Sequence, residues 1–122
     1  MSSVEPPPRS VILLVEDEEE SREALRELLE LEGLTIATAT NGREALEAIT
    51  ELGDRLCLVL LDLFMPVMDG WQVIEALRAD GRLRTVRVVI VTSAAHRAPA
   101  GSPVIEKPLD IGRVMKTIQA VC

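Results

Sequence analysis

The chain has 122 residues, enough for one hydrophobic core and not for two. Hydrophobic residues make up 48% and charged residues 27%, the profile of a soluble globular protein, and no apolar run approaches the roughly 18 residues that span a bilayer. Thirteen basic against twenty acidic side chains leave a formal charge of −7, which argues against the basic face that direct binding of nucleic acid requires.

Residues 1–9 contain Pro6-Pro7-Pro8 and no apolar stretch. They read as a flexible lead-in rather than a secretory signal, with the folded domain expected over residues 10–122 and the cytoplasm as its compartment. Ser10 to Val15 is a β-branched and apolar run, a strand that stops at the acidic stretch Glu16 to Glu20. From Ser21 to Glu32, Ala24, Leu25, Leu28, Leu29 and Leu31 recur among Arg and Glu at helical spacing, and Gly33 ends the pattern. Leu34 to Thr40 alternates apolar residues with threonine, as a strand near a sheet edge does.

Asn41-Gly42 reads as a turn, and Arg43 to Leu52 as a second amphipathic helix on Ala45, Leu46, Ile49 and Leu52. Leu58 to Leu61 is apolar on both faces, which suits an inner strand of a covered parallel sheet. Asp62 follows at its carboxyl end, and Pro66 and Gly70 then break the chain into a loop. Trp71 to Ala79 is a third helix, Val86 to Val91 a strand ending at Thr92-Ser93, Val104-Ile105 a short strand before Lys107-Pro108, and Ile111 to Val121 the last helix. The alternation predicts an α/β fold with a five-stranded, doubly wound parallel sheet. Only about ten residues, Ser93 to Ser102, remain between the last two strands, and Pro99 and Gly101 interrupt them. Parallel crossovers usually need a dozen or more, so the fourth helix is expected to be short, irregular or missing.

Two cysteines argue against a disulfide framework; Cys57 is expected as a small core residue, and Cys122 is uninformative. One histidine and no CxxC pair give zinc no support. Polar groups instead collect at strand ends: Glu16 and Asp17, Asp62, Thr92 and Lys107. In a doubly wound sheet the first, third and fourth strands lie side by side, which brings these groups to one crevice. Packed carboxylates repel at low dielectric and need a cation; an all-oxygen site suits Mg²⁺. Lys107 adds a point charge of the kind that binds a phosphoryl group, and a hydroxyl from Thr92 or Ser93 can donate to a phosphoryl oxygen. Each residue also has a plainer use. Asp62 can cap a turn, the acidic run can be a solvated helix start, and Thr92 can be an ordinary strand residue.

Glu16-Asp17, Asp62 with Met65-Pro66 and Asp69-Gly70, Thr92, and Lys107-Pro108 together resemble the receiver domain of bacterial two-component response regulators. The resemblance runs from about Val11 to Val121. It implies a flavodoxin-like fold with strand order 2-1-3-4-5, and a phosphorelay in which a histidine kinase or phosphotransfer protein passes a phosphoryl group to Asp62. By the same resemblance Asp17, Asp62, the Phe64 backbone carbonyl and, through water, Glu16 hold Mg²⁺. Thr92 and Lys107 contact the phosphoryl group, and Lys107-Pro108 is cis. The chain is then a signalling module rather than a turnover enzyme, either standing alone or cut from a longer protein.

It departs from the family at Val104, where many receivers carry an aromatic residue, and in the shortened crossover. Both point to a non-standard output surface, a role as phosphate relay or sink, or a pseudo-receiver that binds partners without phosphorylation. An aspartyl phosphatase would want a second acid two residues past Asp62, where Phe64 stands instead. An apolar ring at that position is expected to shield an acyl phosphate from water.

Overall fold

The computed structural model describes residues 10–122; the proline-rich lead-in expected over residues 1–9 lies outside them. Five strands, β1 (Val11–Val15), β2 (Thr35–Ala39), β3 (Leu56–Asp62), β4 (Val88–Thr92) and β5 (Val104–Glu106), pair in parallel in the order β2-β1-β3-β4-β5. Four helices, α1 (Glu19–Leu31), α2 (Gly42–Leu52), α3 (Gly70–Ala79) and α4 (Ile111–Val121), cover the two faces.

Side-chain alternation along each inner strand decides which face a residue serves. Leu13, Val15, Val59, Leu61, Val88 and Ile90 pack with Ala45 and Ile49 of α2 and Val73, Ile74 and Leu77 of α3. Ile12, Leu14, Leu58, Leu60, Val89 and Val91 pack with Leu29 of α1 and Val114 and Ile118 of α4. Every residue of β1, β3 and β4 is buried, while β2 at the edge is half exposed. This is why the first and third strands read as continuous apolar runs and the second alternates.

The fourth connection matches its expectation. Between β4 and β5 the chain makes only a three-residue 3-10 turn, Ala95–Arg97. Ala98 packs on the α2 and α3 side of the sheet. Elsewhere three local readings change. Asn41 is not in a free turn but is the N-cap of α2, accepting from Glu44 N at 2.9 Å. Asp69 and Gln72 form a reciprocal capping box that starts α3 at Gly70, one residue before the expected Trp71. The fourth strand begins at Val88 rather than Val86, because Arg82–Arg84 forms a 3-10 turn whose Arg82 carbonyl accepts from Val86 N at 2.8 Å.

One larger correction concerns the cysteines. Cys57 is buried in the core as expected, but it is joined to Cys122 in a disulfide, with the two Cα atoms 6.0 Å apart. Helix α4 packs on β3 and thereby delivers Cys122, the residue that follows it, to the start of that strand. A spacing of 65 residues carries no such signal in the sequence. Among the described residues, no helix is long and apolar enough to cross a membrane.

Candidate functional site

Strand order reverses at β1, since the chain goes first to β2 on one side and later to β3 on the other. The carboxyl ends of β1 and β3 therefore open a crevice at the switch point. Glu16 directly follows β1, Asp62 ends β3, Thr92 ends β4, and Lys107 directly follows β5. Glu16, Asp62 and Thr92 are buried at 8%, 6% and 0% exposure, whereas Asp17 is exposed.

Lys107 ties the ends together. Its Nζ donates to Glu16 Oε1 at 3.0 Å and to Asp62 Oδ2 at 3.2 Å, and its backbone N–H donates to the Thr92 carbonyl at 2.9 Å. The Lys107-Pro108 peptide is cis. Burial alone would lower the Lys107 pKa, but the Glu16 hydrogen bond and the Asp62 charge outweigh it and raise the group. It is an ammonium at any working pH.

Carboxylate oxygens of Glu16, Asp17 and Asp62 lie within 4.8 Å of one another. Three anions against one ammonium leave a net local charge of −2. Loss of solvation and the neighbouring Glu16 raise the Asp17 pKa above its ordinary value. An excess of negative charge on hard oxygen donors fits a small divalent cation.

The remaining hydrogen bonds fix the donors and acceptors. Asp62 Oδ1 accepts from Phe64 N at 3.2 Å, which sets the first bend of the β3 to α3 loop. Thr92 Oγ1 accepts from Ala94 N at 3.1 Å, while Ser93 is exposed, so the buried hydroxyl at the strand end belongs to Thr92. Of the acidic run, Glu19 and Glu20 lie in the first turn of α1, where the helix dipole favours them. Glu16 and Asp17 precede the helix and face the crevice.

Two participants escaped the sequence reading. Arg22 Nη1 donates to the Glu16 carbonyl at 3.0 Å and to the Asp17 carbonyl at 3.3 Å, holding the acidic corner from α1. Arg97 sits over the rings of Phe64 and Trp71, 5.4 and 5.2 Å from their centroids. Trp71 packs against the core, and its Nε1 donates to the Arg97 carbonyl at 3.0 Å. Arginines are frequent in this chain, and nothing local distinguishes these two.

A family model described as the response regulator receiver domain matches residues 12–119. The chain is 32% identical over 120 residues to the polar-differentiation response regulator DivK of Brucella anthropi, covering 93% of this chain and 95% of that protein. It is 43% identical over 84 residues to a CpxR-homolog transcriptional regulatory protein of Haemophilus influenzae, covering 69% of this chain but only 34% of that relative. Among solved structures it is similar to the response regulator TrrA of Thermotoga maritima in complex with Mg²⁺ and BeF, with a TM-score of 0.80 and 29% identity over 93% of this chain and 99% of that one. It is also similar to the receiver domain of the hybrid histidine kinase CckA, with a TM-score of 0.76 and 29% identity over 90% of this chain and 96% of that one.

Proposed function

This chain belongs to the response regulator receiver domain family, and from that premise we propose that Asp62 is the phosphoacceptor of a two-component phosphorelay. Receiver domains are phosphoacceptor signalling modules rather than turnover enzymes. The observation that carries the reading is the convergence of Glu16, Asp17, Asp62 and Lys107 from separate strand ends on one crevice. The proposed receiver unit is residues 10–122, acting in the cytoplasm with a histidine kinase or phosphotransfer protein as donor.

In the transfer, an Asp62 carboxylate oxygen attacks phosphorus as the P–N bond of a donor phosphohistidine breaks, and the imidazole nitrogen leaves with the bonding pair. The product is an acyl phosphate on Asp62. Lys107, 3.2 Å from Asp62 Oδ2, moves its ammonium to a phosphoryl oxygen with little displacement, and Thr92 donates its hydroxyl to another. Asp17, Asp62, the Phe64 carbonyl and, through water, Glu16 would hold Mg²⁺, which supplies charge neutralisation on the transferring group. The presence of Mg²⁺ and BeF in the Thermotoga relative supports this assignment. A crossover reduced to the turn Ala95–Arg97 favours an output surface that differs from one built on a full helix.

The test is intact mass after incubation with Mg²⁺ and acetyl phosphate, beside Asp62→Asn. A gain of one phosphoryl group, lost in the variant and without metal, is the expected result. A folded chain that takes no phosphoryl group from acetyl phosphate or from a phosphorylated histidine phosphotransfer domain would be a pseudo-receiver instead.

A further inference from the structure

Two loops flank the crevice, and they touch each other through side chains that the phosphoacceptor chemistry does not use. The loop after β3 carries Phe64, whose backbone N–H is bonded to Asp62 Oδ1 at 3.2 Å. The segment after β4 carries Ala94, whose N–H is bonded to Thr92 Oγ1 at 3.1 Å, and then Arg97. Arg97 lies over Phe64 and Trp71, which meet edge to face with centroids 5.2 Å apart, and its carbonyl accepts from Trp71 Nε1. The contacts close a ring: Asp62, Phe64, Arg97, Ala94, Thr92. Phe64 is 42% exposed, so this contact is held by geometry at the surface and not by a deep core.

On the proposed reading of Asp62 as phosphoacceptor, we infer that Phe64, Trp71 and Arg97 form a latch that is closed before phosphorylation and released after it. Both anchors of the latch are atoms that phosphorylation recruits. Acylation of Asp62 changes the carboxylate that holds Phe64 N. A Thr92 side chain that swings its hydroxyl to a phosphoryl oxygen draws the same oxygen off Ala94 N. The 3-10 turn between them is held within itself by two backbone bonds, Arg97 N to the Ala94 carbonyl at 2.9 Å and Ala98 N to the Ala95 carbonyl at 3.1 Å, and its N-cap, Ala94, makes no side-chain cap, so the turn moves as one piece with its Thr92 anchor. Losing its anchor, the segment carries Arg97 off the two rings. A ligand bound at Asp62 thus reaches the surface through one displaced arginine, by a difference in contacts between two states.

Trp71 is the only tryptophan and the chain has no tyrosine, so its emission reads the latch directly. The probe is Mg²⁺ with beryllofluoride, titrated against Trp71 fluorescence, with acetyl phosphate and intact mass run on the same preparation. The expected result is a change in Trp71 emission on binding, retained in Thr92→Ser and lost in Thr92→Ala. Arg97→Ala should start near the bound emission and bind beryllofluoride about two- to fivefold more tightly, the scale of an exposed cation–π contact no longer to be broken. Arg84→Ala, on a distant 3-10 turn, should match the parent. A chain that is phosphorylated but shows unchanged Trp71 emission and unchanged beryllofluoride affinity in Arg97→Ala overturns the latch and leaves the phosphoacceptor reading standing. A chain that neither gains phosphoryl mass nor binds beryllofluoride overturns both.

Discussion

Gly42 donates its backbone N–H to the Met68 carbonyl at 2.8 Å, and a Cβ on Gly42 would lie 2.5 Å from that same oxygen. The first residue of α2 is thus pressed against the loop that leaves Asp62. Gly42→Ala should cost about 1–3 kcal/mol, the usual scale of overpacking, because the obstacle is backbone and cannot swing aside. Chemical denaturation measures the loss. Since Met68 lies in the β3 to α3 loop, the rate of Asp62 phosphorylation should fall as well.

Val67 has φ at +68°, a conformation costly for a β-branched residue, yet its side chain is 75% exposed and packs little. Val67→Gly should relieve about 1–2 kcal/mol of left-handed strain, offset by about 0.5–1 kcal/mol of extra unfolded-state freedom. A net gain of about 0–1.5 kcal/mol is expected in the unfolding free energy. A loss of stability would show that Val67 packs in a way its exposure hides.

Asp17 has its pKa raised by loss of solvation and by Glu16. The folded chain therefore holds this proton more tightly than the unfolded chain, and without metal its stability falls as pH rises through the carboxylate range. Asp17→Asn should remove that slope and stabilise the metal-free protein near neutral pH, while weakening Mg²⁺ binding. Thermal melts across pH, with and without Mg²⁺, separate the two effects. A variant that binds Mg²⁺ as tightly as the parent would remove Asp17 from the metal site.

Phe64 stands two residues after Asp62 with its ring turned toward Trp71 and Arg97. Replacing it with Asn takes away the apolar ring of the residue whose backbone N–H holds Asp62 Oδ1 and adds a group that can orient water. Loss of phosphate from Asp62, followed by intact mass over time, should quicken severalfold. An unchanged half-life would assign the ring to the latch alone.

Cys57 and Cys122 close a loop across 65 positions, and a bridge of that span restricts the unfolded chain strongly. Reduction, or Cys122→Ser, should cost about 2–4 kcal/mol of stability. Equilibrium unfolding with and without a thiol reductant measures it. Phosphorylation of Asp62 should be unaffected, because the bridge joins the start of β3 and Asp62 ends that strand.

Local pattern and residue type carried most of this fold into the sequence. Buried inner strands such as Leu56–Asp62 are apolar throughout, and α1 and α2 repeat their leucines and alanines at helical spacing, so both signals are dense. The clustering of Glu16, Asp17, Asp62 and Lys107 was legible because each charged group follows or ends an apolar strand, and the strand ends of a parallel sheet meet on one side. The shortened crossover could be counted in residues. What stayed hidden depends on pairs far apart in the chain: the Cys57 bridge to Cys122, the seat of Arg97 on Trp71 across 26 positions, and the hold of Arg22 on the acidic corner. None of these pairings changes local periodicity. The capping box of Asp69 and Gln72 has a local signature, a D-x-x-Q pattern just before the helix, inside the stretch that Pro66 and Gly70 mark as a loop.

Lys107 reaches back across 91 positions to Glu16 and 45 to Asp62. During synthesis the two acids emerge long before the cation that steadies them, and β5, the last strand in the chain, lies at the edge of the sheet beside β4. A nascent chain halted before that strand holds its acids without their counter-charge. On the proposed reading of Asp62, competence to accept a phosphoryl group is therefore a property of the finished fold and is absent from half-made copies.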